Sequence, residues 1–165
     1  MSAPWEPSPK QLNRLFEELG RCLFIYQSIE IRLKLMLPHM VVPGTDTHAK
    51  GEGFTNWRIY LDSKETMGPL MQRLKERMGV ERQEEVDAVW TQIVNHRNEV
   101  VHHFASQAFA RISSEAELTE AMIFLQNRKM LAVPMLEMLQ QISTAFLAEL
   151  QSPDATKESQ YPQQL

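Results

Sequence analysis

Cysteine is nearly missing from this chain: Cys22 is the only one in 165 residues. One thiol cannot close an internal disulfide, and nothing here spaces like a zinc site, so packing alone must hold the fold. Cys22 lies among apolar residues at helical spacing and reads as a small buried hydrophobe rather than a reactive thiol. Glycine is also sparse, with six in the chain. There is no glycine-rich phosphate loop and no nucleophile elbow. No apolar run approaches the roughly 20 residues that cross a bilayer. The start, Met1-Ser2-Ala3-Pro4-Trp5, lacks a basic segment followed by an apolar one. These absences lead us to expect a soluble, cytoplasmic protein with no membrane partner. Positive charge is not in excess either: the formal net charge is −4 and the sequence pI is about 5.7. A charge-driven nucleic-acid coat would be basic, so any contact with RNA must be made through a local patch. No alternating strand pattern and no internal repeat is visible.

What is present is helical periodicity. Hydrophobic residues make up 43% and charged residues 23% of the chain, enough for one packed domain without metal or disulfide. Residues 1–8 carry two prolines, Pro4 and Pro7, and read as an extended arm. Ser8 is an N-cap and Pro9 occupies a first turn, where a missing N–H costs nothing. Leu12, Leu15, Phe16, Leu19, Cys22, Leu23, Tyr26, Ile29, Leu33, Met36 and Leu37 then follow at helical steps, until Pro38 ends the helix. Residues 39–61 lose the rhythm and form a long loop, with Phe54 and Trp57 as anchors. Loops of that length in compact domains are usually functional or mobile, and Lys50, Trp57 and Arg58 are candidate RNA contacts through charge and stacking. A second helix runs from near Thr66 to Met78, stopped by Gly79. A third runs from about Glu81 to Phe104. A fourth starts at Ser114, whose Ser-Glu-Ala-Glu run fits a capping box, and continues to about Leu150. Pro134 should kink or split it. Residues 151–165 are polar and expected to be disordered. The helical domain therefore spans 9–150, an all-α antiparallel bundle of four to five helices with a long loop between the first two.

Two charges break the apolar pattern. Val86, Trp90, Ile93, Arg97, Val100 and Phe104 follow one another at steps of four and three, so a guanidinium sits in the apolar phase of the third helix. Burying an unpaired charge costs several kcal/mol. On the first helix Glu30 also falls on the inward phase, and an Arg97–Glu30 pair would satisfy both. That pair alone would be structural. The neighbours of Arg97 add chemistry: Asn98 is adjacent, and His102 and His103 follow. Histidine exchanges protons near neutral pH, and a fixed arginine stabilises charge developing on a phosphoryl group. The combination needs no metal and suits attack of an RNA 2′-hydroxyl on its own phosphate.

The run Arg97-Asn98-Glu99-Val100-Val101-His102 resembles the Arg-x4–6-His motif of the HEPN superfamily, with a polar residue after the arginine. The likeness extends weakly over roughly residues 9–150; its sharp part is six to eight residues. It implies a metal-independent endoribonuclease, a toxin or antiphage effector, that works as a homodimer with Arg and His from both copies lining one cleft. It also implies a possible antitoxin or other regulatory protein as partner. Carried over by position, Arg97 stabilises the phosphorane, His102 acts as general base or acid, and Asn98 orients phosphate or histidine. His103 is the alternative histidine. His102 is preferred because the family places its histidine two residues before an aromatic, here Phe104. Residues five apart differ by about 140° around a straight helix. Arginine's length, a local distortion or a two-fold dimer would have to join the two groups. In relatives paired with nucleotidyltransferase antitoxins a tyrosine stands in the place of Phe104 and is adenylylated. Phe104 has no hydroxyl to modify.

Other readings are weaker. His96, Glu99 and His103 share one helix face but do not form a zinc motif, so no metal and no cofactor is expected; Glu99 is expected to pair with a protonated histidine. The methionines at 122, 130, 135 and 138 read as core filler. The alternative to the enzyme is a non-catalytic HEPN-like helical module that binds RNA, nucleotide or a protein partner.

Overall fold

The structure is a computed structural model that describes residues 5–37, 40, 62–78 and 83–150. The candidate RNA contacts Lys50, Trp57 and Arg58 and the 151–165 tail lie outside the described residues. The expected all-α bundle is what is found, with four helices: α1 (Pro9–Met36), α2 (Met67–Met78), α3 (Gln83–His102) and α4 (Glu115–Leu150). No helix among the described residues is long and apolar enough to cross a membrane.

Helix α1 begins where its caps dictate. The Ser8 N–H donates to Gln11 Oε1 at 2.8 Å, and the Gln11 N–H donates back to Ser8 Oγ at 3.3 Å, a reciprocal box that satisfies two otherwise orphaned donors. Trp5 of the extended arm packs half-buried on the core. Along α1 the buried positions Leu15, Cys22, Tyr26, Ile29, Leu33 and Met36 repeat with a period near 3.5. Helix α4 shows the same period in Leu118, Ala121, Leu125, Ala132, Met135 and Leu139. The two stripes meet in the most extensive helix pair of the bundle. Ala121 and Ala132 are fully buried there, and their small side chains let the helices come close.

Contacts advance together along α1 and α4, so these helices run in the same direction. The Cys22 thiol donates to the Leu125 carbonyl at 3.5 Å, the Tyr26 hydroxyl to the Arg128 carbonyl at 2.7 Å, and Arg32 to Ser143 Oγ at 3.1 Å. The pairs α2–α3 and α3–α4 are antiparallel. Lys75 near the end of α2 pairs with Asp87 near the start of α3, while Gly68 faces Val94. Glu99 near the end of α3 and Phe104 just beyond it meet Arg128 and Phe124 of α4. Helix α1 therefore departs from the up-and-down alternation of its neighbours. Burial pushes the Cys22 thiol up to about 11, which leaves it a neutral core group at physiological pH, as its setting in the sequence suggests. Loss of the Tyr26 hydroxyl bond in Tyr26→Phe is expected to lower stability by about 1 kcal/mol, read from the urea midpoint at unchanged slope.

Helix α3 stops two residues before the expected Phe104. The His103 carbonyl is taken by the Ser106 N–H at 3.2 Å, Ser106 Oγ at 2.9 Å and Gln107 Nε2 at 3.2 Å, which leads the chain into two 3₁₀ turns, Phe104–Ser106 and Ala108–Arg111. Ile112 closes the second turn at φ 49°, a strained backbone for a β-branched residue. Its side chain packs against the core, which offsets that strain. At the start of α4 the Ser114 hydroxyl accepts from the Glu117 N–H at 3.2 Å. The Glu117 carboxylate caps the Ser113 N–H at 2.6 Å instead of that of Ser114, so the box is shifted by one residue. Pro134 does not split α4. Its missing N–H deprives the Met130 carbonyl of a partner, but Met130 is 71% exposed and water can replace it. Gly20 is the odd residue of α1. An added Cβ would meet nothing within 4 Å, yet glycine in a helix interior is about 1 kcal/mol less favourable than alanine.

Candidate active site

Arg97 sits between α3 and α1, and its guanidinium is held from two sides. Its Nε donates to Glu30 Oε1 at 3.1 Å, the pair expected from the two inward phases. Both side chains are largely buried, with 13% and 17% of their surface exposed. Glu30 Oε1 also accepts the Met67 N–H at 3.2 Å. That bond closes an open donor in the first turn of α2 and sets an anion at a helix N-terminus, where the macrodipole favours it. One carboxylate thus ties together α1, α2 and α3.

The other end of the guanidinium reaches the chemistry-bearing residues. Arg97 Nη1 donates to Asn98 Oδ1 at 3.2 Å and lies 2.9 Å from His102 Nε2. A guanidinium has no acceptor, so Nε2 accepts and the ring proton of His102 is assigned to Nδ1. His102 is the last residue of α3 and is solvent-exposed. The 140° offset that argued against contact is bridged by arginine's length within one copy of the chain. Arg97, Asn98, His102 and Glu30 therefore form one hydrogen-bonded group. His103 is not part of it; its exposed ring stands 6.3 Å from that of His102, nearly edge-on. Arg97 Nη2 makes no hydrogen bond among the described residues. Chemically, the group offers an immobilised cation beside an exposed imidazole.

A second charge pair lies on the α4 side of α3. Arg128 occupies a position in the apolar rhythm of α4, between Leu125 and Ala132, as Arg97 does in α3. Its Nε contacts Glu99 Oε2 at 2.5 Å, and its guanidinium stands 4.2 Å over the Phe124 ring. Phe124 in turn packs on Phe104 and Phe109, with ring centroids 6.1 and 5.1 Å away. Sequence reading missed Arg128, although the α4 phase carried the signal. Glu99 is thus paired with arginine and not with a protonated histidine: Arg128 approaches it from the neighbouring helix, which a single-helix reading does not see. Among the described residues no group of three or more His, Cys, Asp or Glu side chains is placed to hold a metal ion.

No family model, no curated protein and no solved structure matches this chain. Function must be argued from the site.

His96 gives a pH prediction. Its Nδ1 is buried without a hydrogen-bond partner among the described residues. Burial, and then the charge of Arg128, lower its pKa below the ordinary 6.5, against the opposing effect of Glu99. The folded protein thus holds this proton less tightly than the unfolded chain, so its stabilising contribution is present above pH 6.5 and is lost as pH falls through the folded value. Urea midpoints should fall between neutral and mildly acidic pH, and His96→Gln should flatten that slope. An unchanged slope in His96→Gln would assign the pH dependence to other groups.

Proposed function

We propose that this protein is a metal-independent endoribonuclease of the HEPN kind, with Arg97 and His102 as its catalytic pair. The observation that carries the reading is the 2.9 Å approach of Arg97 Nη1 to His102 Nε2, with the guanidinium anchored from behind by Glu30. His102 takes the proton of an RNA 2′-hydroxyl at Nε2, its unprotonated ring nitrogen, once that hydroxyl replaces Arg97 Nη1 there, and the 2′-oxygen attacks the adjacent phosphorus. The P–O5′ bond breaks, and the 5′-oxygen leaves with a proton from a second acid or water. Arg97 stabilises the charge on the phosphoryl oxygens, and Asn98 orients the guanidinium. The products are a 2′,3′-cyclic phosphate and a 5′-hydroxyl. A cytoplasmic toxin or antiphage role, a homodimeric cleft and an antitoxin or other regulatory partner belong to the same reading. Phe104 leaves no hydroxyl for adenylylation at that place.

The test is incubation of the purified chain with single-stranded and structured RNA in EDTA, with end-group analysis of products. EDTA-resistant cleavage to cyclic phosphate ends is expected. Intact RNA with and without divalent metal would sink the enzyme reading, and cleavage abolished by EDTA would replace it with metal chemistry. One observation favours the alternative, a non-catalytic module that binds RNA, nucleotide or protein: the Glu30 oxygen that holds Arg97 also caps α2, so the pair serves the fold as well. Salt-sensitive RNA affinity without cleavage would identify that module.

A further inference from the structure

Helix α1 carries a second apolar stripe on the face opposite its core positions. Phe16, Phe24, Ile31 and Leu35 are 61%, 70%, 50% and 40% exposed, and Gly20 and Gln27 fill the steps between them. No charged residue interrupts the run. The four apolar side chains expose on the order of 450 Å², about the largest patch an ordinary monomer shows, and such patches are often functional. Twice that area approaches the ~1,000 Å² of a specific interface before flanking polar groups are counted.

We infer that this stripe pairs α1 of two copies of the chain, antiparallel, about a two-fold axis near Gly20. The centre of the stripe is self-complementary about that residue, while Ile31 and Leu35 lie toward the start of the partner's helix. Phe16 and Phe24 stand four residues to either side of it, so an antiparallel partner sets each Phe16 against a Phe24. Gly20 presents no side chain at the crossing, and nothing among the described residues occupies the space a Cβ would fill. Glycine permits that close backbone approach. The charges beside the stripe match as well. Exposed Glu17 and Arg21 lie one turn apart on the same flank, and the two-fold brings Glu17 of one copy beside Arg21 of the other, twice. Arg21 has 66% of its side chain exposed and contacts Glu18 of its own helix at 3.1 Å, a surface pair that is readily rearranged. A hydrophobic partner of another kind would not require this reciprocal charge order. The pairing uses the outer face of α1 and needs neither Arg97 nor His102, which already meet within one copy, so it is a different contact from the homodimeric cleft of the RNA reading.

The test is sedimentation equilibrium of the full chain over micromolar concentrations, with circular dichroism as the control for folding. The wild type should be dimeric and Phe24→Glu monomeric with unchanged helicity. Glu17→Arg and Arg21→Glu should each weaken association several-fold, and the double exchange should restore it. Mild oxidation of Gly20→Cys should give a disulfide-linked dimer, since a crossing there brings the two Cα atoms within bridging range. Cys22 is buried and will not compete. A wild type that stays monomeric across that range, whatever covers the stripe instead, overturns the proposal. A dimer that survives Phe24→Glu, or that Gly20→Cys fails to cross-link above the level of a Met130→Cys control, overturns it too.

Discussion

Glu30→Ala is expected to destabilise the protein by about 3 kcal/mol, because it strips the partner from a largely buried arginine and uncaps a neighbouring helix at once. Two losses combine here. Arg97 keeps its charge in a site where only 13% of its side chain meets water. The Met67 N–H loses the acceptor that it shares with Arg97 Nε. For a domain of this size the melting temperature should fall by roughly 6–12 °C. Glu30→Gln keeps an acceptor oxygen but not the charge, so its loss should be smaller. The double variant Glu30→Ala/Arg97→Ala should lose less than the two single losses added, because the stranded charge is gone. Additive losses in that cycle would mean that the pair is not coupled in solution.

His102→Ala should separate function from fold. The imidazole is exposed at the end of α3, so its removal should change stability by no more than about 0.5 kcal/mol. If it is the proton acceptor, RNA cleavage should fall by about 10²–10⁴. Arg97→Ala should lower cleavage by about 10²–10³ through lost charge stabilisation, with some loss of stability because Arg97 also belongs to the Glu30 group. Arg97→Lys should not rescue it. A lysine ammonium does not reproduce the fork that reaches Glu30 with Nε and both Asn98 and His102 with Nη1. The Arg97/His102 double variant should be little worse than the poorer single one, as expected of groups that act together. Unimpaired cleavage in His102→Ala, with His103→Ala inactive, would transfer the role to His103.

The sequence by itself determined the four helices and the cap of α1, the buried phase of α1 and α3, and the meeting of Glu30 with Arg97. These follow from short-range rules: periodicity places side chains on faces, caps satisfy local donors, and a charge in an apolar phase needs a partner. Only the tertiary structure decided the rest. Arg97 reaches His102 within one copy, because side-chain length overcomes an offset that backbone angles alone make unfavourable. Arg128 takes Glu99 from across the bundle, because a neighbouring helix supplies the charge. Helix α3 stops at His102, because three donors from the following turn converge on one carbonyl. Helix α1 runs alongside α4 in the same direction, because the packing of two matched apolar stripes sets their direction and the pattern on either helix alone is the same in both senses.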